Sequence, residues 1–153
     1  MNFYKHFLGD YARATGHLSM VEHGAYRQML DHFYGAGRPL PANRKALYRL
    51  LRAETESERR AVDEVALRFW RALPPDVEPL IELLGMRAEP ERRALMATVY
   101  EWTEVGGLIN VRALGEIVKA RIIAEKNKQI AIDREQKKRT KQSGLQVFAG
   151  GRS

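Results

Sequence analysis

A chain of 153 residues, 44% of them apolar, is long enough for one domain with a hydrophobic core and an appendage, which excludes wholesale disorder. The absence of cysteine rules out disulfides and cysteine-ligated metal sites. The sequence has neither a signal-peptide pattern nor the roughly 18 consecutive apolar residues of a membrane span. We therefore expect a cytoplasmic protein without a membrane partner. The net charge of +7 is uneven: residues 1–118 carry 16 residues of each sign, whereas residues 119–153 carry 10 basic and 3 acidic residues.

The first predicted elements are a short extended lead and a helix that begins at a capping box. The box is formed by Ser19 and Glu22, each of which can accept a hydrogen bond from the backbone of the other. Apolar residues then recur at helical spacing, at Val21, Ala25, Met29 and Phe33. Glycines at 35 and 37 end this helix, and prolines at 39 and 41 set a rigid turn.

Two further helices are predicted over residues 43–53 and 56–72, the second ended by a pair of prolines at 74 and 75. Residues 47–69 align without gaps on residues 80–102, at an offset of 33 positions and with eight identities. A tandem copy of the helix pair would produce this pattern, and so would chance similarity between helix-forming sequences. In either case residues 80–86 and 90–102 are predicted to be helical.

The segment from Thr103 to Arg112 predicts a β-hairpin, with a turn at Gly106 and Gly107. A long final helix is predicted from about Ala113. Its apolar periodicity ends near residue 132, so we assign residues 119–143 to a basic helical extension and residues 144–153 to a disordered tail.

The sequence HLSMVEHGAYRQMLDHFY, followed by the turn PLP, resembles the prophage YdaU-like family of uncharacterised phage proteins. A later apolar pair followed by Asn110 and Arg112 is similar to an element of the same family. The resemblance implies a winged-helix fold like that of the N-terminal domains of phage replication initiators and replisome organisers. We therefore predict a mainly α, winged-helix-like domain over residues 1–118. Residues 71–100 depart from the family pattern and are predicted to be an inserted helix pair.

Catalytic chemistry finds little support in the sequence. The four histidines, His6, His17, His23 and His32, lack the spacing of a helical metal site, and no phosphate-binding GxxxxGK[ST] loop is present. A metal-dependent nuclease using the histidines with Asp10 and Asp31 is the weakest of the hypotheses. We expect a protein that is not an enzyme and has no cofactor or bound metal.

Binding signals are stronger. In the predicted helices, three glutamates each lie four residues before an arginine, and the two opposite charges of each such pair should neutralise one another. The remaining cations are predicted to contact DNA, mostly through its phosphate backbone, because phosphate attraction rises with the number of counterions released. These residues are Arg44, Lys45, Arg49, Arg52, Arg59, Arg112, Lys119, Arg121, Lys126, Lys128, Arg134, Lys137, Lys138, Arg139 and Lys141.

Aromatic residues crowd the first 34 positions, where they can form a core or stack on single strands. Phe3, Tyr4 and Phe7 could instead form a surface for a protein partner. Together with the resemblance, these features predict a phage or prophage DNA-binding protein of replication initiation, either an origin-binding organiser or a helicase-loading adaptor. Its partners would be DNA and a replicative helicase or other replication protein. The alternative is a phage-encoded protein that inhibits or redirects a host protein machine without binding DNA.

Overall fold

The computed structural model describes residues 8–149, which divide into two compact units, the first ending at Val118 and the second beginning at Lys119. This boundary coincides with the change in charge at residue 118. The described residues form a mainly helical structure with one small sheet. In chain order the elements are α1 (Leu8–Thr15), α2 (Met20–Ala36), α3 (Arg44–Leu51), α4 (Glu56–Phe69), β1 (Arg71–Ala72), α5 (Glu78–Leu84), α6 (Glu89–Tyr100), β2 (Leu108–Ile109) and α7 (Val111–Ala149).

The expected extended lead is wrong over the described residues before α2, because α1 is helical. Thr15 is fully buried, and its hydroxyl donates to the carbonyl oxygen of Tyr11 at 2.6 Å. The Tyr11 hydroxyl in turn shares a hydrogen bond of 2.8 Å with Nδ1 of His23 on α2. The first contact lies within α1 and the second joins it to α2, and together they stabilise a helix that the local sequence pattern does not reveal.

Helix α2 begins as predicted. The Ser19 hydroxyl accepts from the Glu22 N–H at 3.2 Å, and the Glu22 carboxylate accepts from the Ser19 N–H at 2.8 Å. The helix ends at Gly37, which takes the left-handed conformation with φ of 62°. The predicted apolar stripe is wrong at its start, since Val21 is exposed, whereas Phe33 is fully buried and lies 5.3 Å, centroid to centroid, from the ring of Trp70.

The small sheet connects distant parts of the first unit. Strand β1 pairs antiparallel with β2, and Leu40 adds a single bridge to the other side of β2 through hydrogen bonds of 2.9 and 2.8 Å with Leu108. The predicted hairpin at residues 103–112 is therefore wrong, as is the helical assignment of residues 70–72. Gly106 and Gly107 do adopt positive φ, but they lead the chain from α6 to β2. A Cβ at Gly107 would lie only 2.5 Å from the carbonyl oxygen of Leu40, so this approach requires glycine.

Asn110 fixes the start of α7. Its side chain accepts from the N–H of Ala113 at 2.9 Å and donates to the carbonyl oxygen of Phe69 at 3.0 Å, which ties the end of α4 to the start of α7. Leu114 and Val118 are fully buried, as the predicted packing of the first turns requires. The helix then continues to Ala149, so residues 144–149, which we assigned to a disordered tail, are helical. Residues 150–153 of that tail lie outside the described residues.

The internal alignment corresponds to a structural repeat. Helices α3 and α4 form one helix–turn–helix pair, and α5 and α6 form a second at the same offset of 33 residues. The turn of the first pair places Arg52 in the left-handed conformation, with its N–H directed to the carbonyl oxygens of Tyr48 and Arg49. The equivalent Gly85 has the same conformation and the equivalent hydrogen bonds. The two helices predicted within residues 71–100 are thus confirmed, and the left-handed residue of their turn has nearly the same backbone angles as Arg52 in the pair before it.

Candidate nucleic-acid interface

Four of the predicted DNA-binding residues lie together at the turn between α3 and α4. Lys45 and Arg49 are one helical turn apart on α3, Arg52 is the residue that ends α3, and Arg59 is in the first turns of α4. With Tyr48, Ala53 and Glu54 they line a surface pocket of about 590 Å³. We call this the α3 basic pocket. It has four cationic side chains and one carboxylate, that of Glu54, so it attracts anions.

Arg59 and Tyr48 form the fixed part of this pocket. The Arg59 Nε donates to the carbonyl oxygen of Ala53 at 3.1 Å, and its guanidinium carbon lies 5.5 Å from the centre of the Tyr48 ring. The Tyr48 hydroxyl donates to Asp63, with both carboxylate oxygens at 2.7 Å. This hydrogen bond raises the pKa of Tyr48 above its ordinary value of 10.0, and the neutral phenol adds no negative charge to the pocket.

Two other predicted DNA contacts have carboxylate partners within the first unit. Arg44, grouped in the sequence with the unpaired cations, places its Nε 3.2 Å from the carboxylate of Asp63. Arg112 is 2.9 Å from Asp10 and is half exposed. Both guanidinium groups are therefore less available to bind phosphate than the sequence predicts. The sequence did not reveal these pairs because their partners are distant in the chain.

The outer face of α4 is less suited to DNA than the α3 basic pocket. The predicted ion pairs are present, with Arg60 at 2.6 Å from Glu56 and Arg68 at 3.3 Å from Glu64. The third predicted pair, Arg93 with Glu89 on α6, is looser at 3.7 Å. A groove beside α2 is lined by more acidic than basic residues, namely Glu22, Glu56, Asp63, Glu64, Arg60 and Arg68. This surface has no excess of cations to offer a phosphate.

The second unit has the larger cationic surface. Six basic residues there are exposed and, within the described residues 8–149, make no hydrogen bond or ion pair with another residue. They are Lys126, Lys128, Arg134, Lys137, Lys138 and Lys141, and we call them the α7 basic surface. Arg139 is partly neutralised by Glu135 at 2.6 Å, and Lys119 and Arg121 also interact within the chain. The carboxylate of Asp133 accepts from Gln129 at 2.9 Å. Most of the predicted cations of the C-terminal helix are therefore exposed on a helix, with few carboxylates beside them.

The remaining sequence candidates divide into core residues and residues outside the described range. Tyr26, Phe33 and Tyr34 are buried in the first unit, as the core interpretation of the aromatic cluster predicts. Burial raises the pKa of Tyr34 to about 12 and also raises that of Tyr26. The proposed partner surface at Phe3, Tyr4 and Phe7, and the histidine at position 6, lie outside the described residues.

No metal site or membrane span emerges from the part of the chain that is described. Between residues 8 and 149, no three histidine, aspartate or glutamate side chains are grouped so that they could hold a metal ion. His17 stacks on Phe69, with ring centroids 6.5 Å apart, and His23 bonds to Tyr11. In the same range, no helix combines the length and the apolar composition that crossing a bilayer requires.

Sequence reasoning missed two features of the α3 basic pocket. It did not identify Tyr48 as a lining residue, and it did not recognise the unusual backbone of Arg52. The alignment at an offset of 33 contained the second signal, since it places Arg52 opposite Gly85, a residue type that commonly ends helices in the left-handed conformation.

Comparison with known proteins shows similarity to a family whose function is unknown. Residues 2–74 match a family described as a protein of unknown function (DUF1376). The match ends between β1 and α5, so it includes α1 to α4 and leaves out the second helix pair and α7. The uncharacterized protein YdaU of Escherichia coli (strain K12) is 42% identical over 40 residues, which are 26% of this chain and 14% of that protein. No solved structure matches the chain.

Proposed function

We propose that this chain is a phage-type DNA-binding protein that acts, without catalytic activity, in the initiation of DNA replication. It would serve as an origin-binding organiser or as an adaptor that loads the replicative helicase. The observation that carries the proposal is the α7 basic surface, in which six exposed cations have no carboxylate partner among the described residues. Such an array lowers its electrostatic free energy by binding a polyanion and releasing counterions.

The arrangement of the first unit supports a winged-helix-like fold. Helix α2, the bridge at Leu40, helices α3 and α4, and strands β1 and β2 follow one another as in a winged helix, and β2 lies between Leu40 and β1 in the sheet. In this interpretation the pair α5–α6 occupies the place of the wing. A helix–turn–helix of this kind commonly docks on DNA with its second helix in the major groove.

The charge of α4 favours contact with the phosphate backbone over base recognition. The exposed arginines of α4 at positions 60 and 68 pair with glutamates of the same helix, and Asp63 is bonded to Tyr48 and Arg44. Side chains that read bases in the major groove must be available to donate and accept there. The α3 basic pocket and the α7 basic surface instead supply positive charge, which binds DNA with little regard to sequence.

The proposal is tested by measuring DNA binding after removal of three charges from the α7 basic surface. We expect the combined substitution Lys137→Gln, Lys138→Gln and Lys141→Gln to weaken binding to a labelled DNA duplex in fluorescence anisotropy. Because all three side chains are exposed and glutamine is a good helix former, the melting temperature should not change.

A matched control is available in the first unit. Arg60, Arg87 and Arg93 are exposed and each lies within 4 Å of a glutamate, so changing all three to glutamine removes the same net charge from paired positions. This control should bind DNA nearly as the original chain does. Equal weakening by both triple variants would show that only net charge matters and would overturn the assignment to the α7 basic surface.

A second candidate function is a phage-encoded protein that binds a host protein machine without binding DNA. It is favoured by exposed apolar residues in and after the second helix pair, where acidic residues outnumber basic ones. These are Leu83, Met96, Tyr100 and Val105, of which Tyr100 and Val105 are about 80% exposed. Absence of DNA binding at about 50 mM salt, where phosphate attraction is strong, would favour this candidate over the first.

A further inference from the structure

Arg52 has a backbone conformation that arginine rarely adopts. Among the described residues it is the one non-glycine residue with positive φ, at φ 55° and ψ 40°. A side chain in this left-handed region places its Cβ close to the following carbonyl oxygen, so the conformation is unfavourable for every residue but glycine and, to a lesser degree, asparagine and aspartate. Residues held in such regions concentrate at binding sites, where another interaction offsets their cost.

The second helix pair shows what the turn itself requires. Gly85, the equivalent of Arg52, has φ 65° and ψ 22°, and its N–H is directed to the equivalent carbonyl oxygens. Ala53 and its equivalent Met86 then donate to Tyr48 and Ile81, at 2.9 and 3.1 Å. The turn is thus built equally well with glycine. Its geometry gives no reason for an arginine at position 52.

The other cations of the α3 basic pocket are also absent from the second pair. Positions 45, 49, 52 and 59 of the first pair carry four positive charges, whereas their equivalents carry two negative charges and one positive charge. The equivalents are Glu78, Glu82, Gly85 and Arg92. Since the two pairs share the backbone and hydrogen bonds of their turn, the concentration of cations in the first pair is a property of its surface and is not needed to form the turn.

The N-terminus of α4 does not itself provide the anion site. The carboxylate of Glu58 already accepts from the N–H groups of Glu54 and Thr55, at 2.8 and 3.0 Å. These bonds lower the pKa of Glu58 below its ordinary value of 4.5, and its negative charge already occupies these N–H groups. An incoming anion must therefore be bound by the side chains of the pocket, and above all by the guanidinium groups, which match phosphate geometry well.

We infer that the α3 basic pocket binds a phosphate of a nucleic-acid backbone, and that Arg52 is kept in its unfavourable conformation as a ligand of that phosphate. This inference rests on the proposed function and deepens it, because it assigns one phosphate contact to a particular residue of the α3 basic pocket. It distinguishes Arg52 from an exposed arginine with no role. Replacement of Arg52 by glycine should raise the melting temperature and weaken DNA binding. Replacement of a residue that is important only for structure would lower the melting temperature.

The test uses Arg52→Gly in the full chain, with thermal melting and DNA anisotropy measured over a series of salt concentrations. We expect a higher melting temperature than that of the original chain, because glycine relieves the left-handed strain. We also expect severalfold weaker DNA binding. The slope of log K against log salt concentration should be shallower by about one unit, because one phosphate contact is lost. Arg52→Lys retains the charge and should retain most of the salt dependence.

Two controls come from the second helix pair. Arg87→Gly makes the same substitution and the same charge change beside the equivalent turn, and should leave DNA binding unchanged. Gly85→Arg introduces the unfavourable conformation and should lower the melting temperature. An unchanged melting temperature for both Arg52→Gly and Gly85→Arg would remove the conformational argument and overturn the inference.

The outcomes separate this inference from the proposed function. If the original chain binds DNA and the α7 triple variant weakens that binding, but Arg52→Gly binds as the original does, the inference fails and the proposed function stands. If the original chain does not bind DNA, the proposed function fails. If inorganic phosphate or a mononucleotide raises the melting temperature of the original chain but not of Arg52→Gly, while DNA binding is equal in both, the pocket serves a small phosphate and the nucleic-acid assignment is wrong.

Discussion

The two helix–turn–helix pairs of the first unit share the backbone of their turn and differ in surface. Buried positions agree between them: Leu47 corresponds to Leu80 and Ala53 to Met86, and all four are buried. The turns agree down to their hydrogen bonds. A helix–turn–helix of this type is therefore specified by a few buried residues and one left-handed position, which leaves the exposed residues able to diverge.

The exposed residues have diverged in charge. The turn of the first pair carries the α3 basic pocket, and its equivalent in the second pair carries two glutamates. The outer face of α4 presents Asp63 and Glu64, whereas the equivalent residues of α6 are Met96 and Ala97. The first pair is therefore cationic at its turn and acidic on α4, whereas the second pair is acidic at its turn and apolar at positions 96 and 97. The same turn geometry thus carries two different surfaces.

The largest predicted effect tests whether both pairs pack in the core. Leu47 and Leu80 are 0% and 1% exposed, so we expect Leu47→Ala and Leu80→Ala each to lower the free energy of unfolding by about 3 kcal/mol, from lost apolar contact and the cavity left behind. Urea denaturation measures both values. Leu67→Ala, at a side chain that is 77% exposed, is the control and should change stability little. A nearly neutral Leu80→Ala would mean that the second pair is not an equivalent part of the core.

A smaller effect tests a difference in helix capping. Thr55 forms a capping box with Glu58 at the start of α4, whereas the equivalent Ala88 makes no side-chain cap, although Glu91 stands at the matching position. The two N-cap residues, Thr55 and Ala88, both have extended backbone. We expect Thr55→Ala to cost about 1 kcal/mol and Ala88→Thr to gain a similar amount, measured by urea denaturation. Adding Glu91→Ala to Ala88→Thr should remove part of that gain, and a loss of stability in Ala88→Thr alone would contradict the equivalence.

The smallest effect concerns the pH dependence of the same capping box. Backbone hydrogen bonds lower the pKa of Glu58 below its ordinary value of 4.5, so its ionised form stabilises the folded state. That contribution is fully present above pH 4.5 and is lost as the pH falls through the lowered pKa. We expect Glu58→Gln to melt at a lower temperature than the original chain at pH 7, and the difference to shrink as the pH falls below 4.5. A difference that stays constant with pH would refute the role of the carboxylate charge.

Local features of the fold could be predicted from the sequence. The capping box at Ser19, the glycine end of α2 and the i,i+4 ion pairs involve residues within four positions of one another, and the structure confirms them. The possibility of a repeat was also visible, because three leucines and the block Glu-Arg-Arg-Ala recur at a fixed offset, although chance similarity could produce the same pattern. In each case the interaction or pattern is contained in a short stretch of chain.

Features that depend on distant contacts could not be predicted. Strand β1 pairs with β2 across the whole second helix pair, so the glycines at 106 and 107 suggested a hairpin that does not form. The hydrogen bond between Arg112 and Asp10 could not be foreseen, because Asp10 lies 102 residues earlier in the chain. The sequence therefore predicts Arg112 as a DNA contact. The helical state of residues 144–149 was missed because glycine at position 144 and weak apolar periodicity usually accompany fraying.

The most direct test of the proposed function is the salt dependence of DNA binding by the original chain and by the Lys137→Gln, Lys138→Gln, Lys141→Gln variant. If these lysines neutralise phosphates, log K should fall linearly with log salt for both proteins, and the slope of the variant should be shallower by about 2 to 3 units. The control variant at Arg60, Arg87 and Arg93 should keep the original slope. Equal slopes for the original chain and the α7 variant, or no DNA binding by the original chain at about 50 mM salt, would contradict the account.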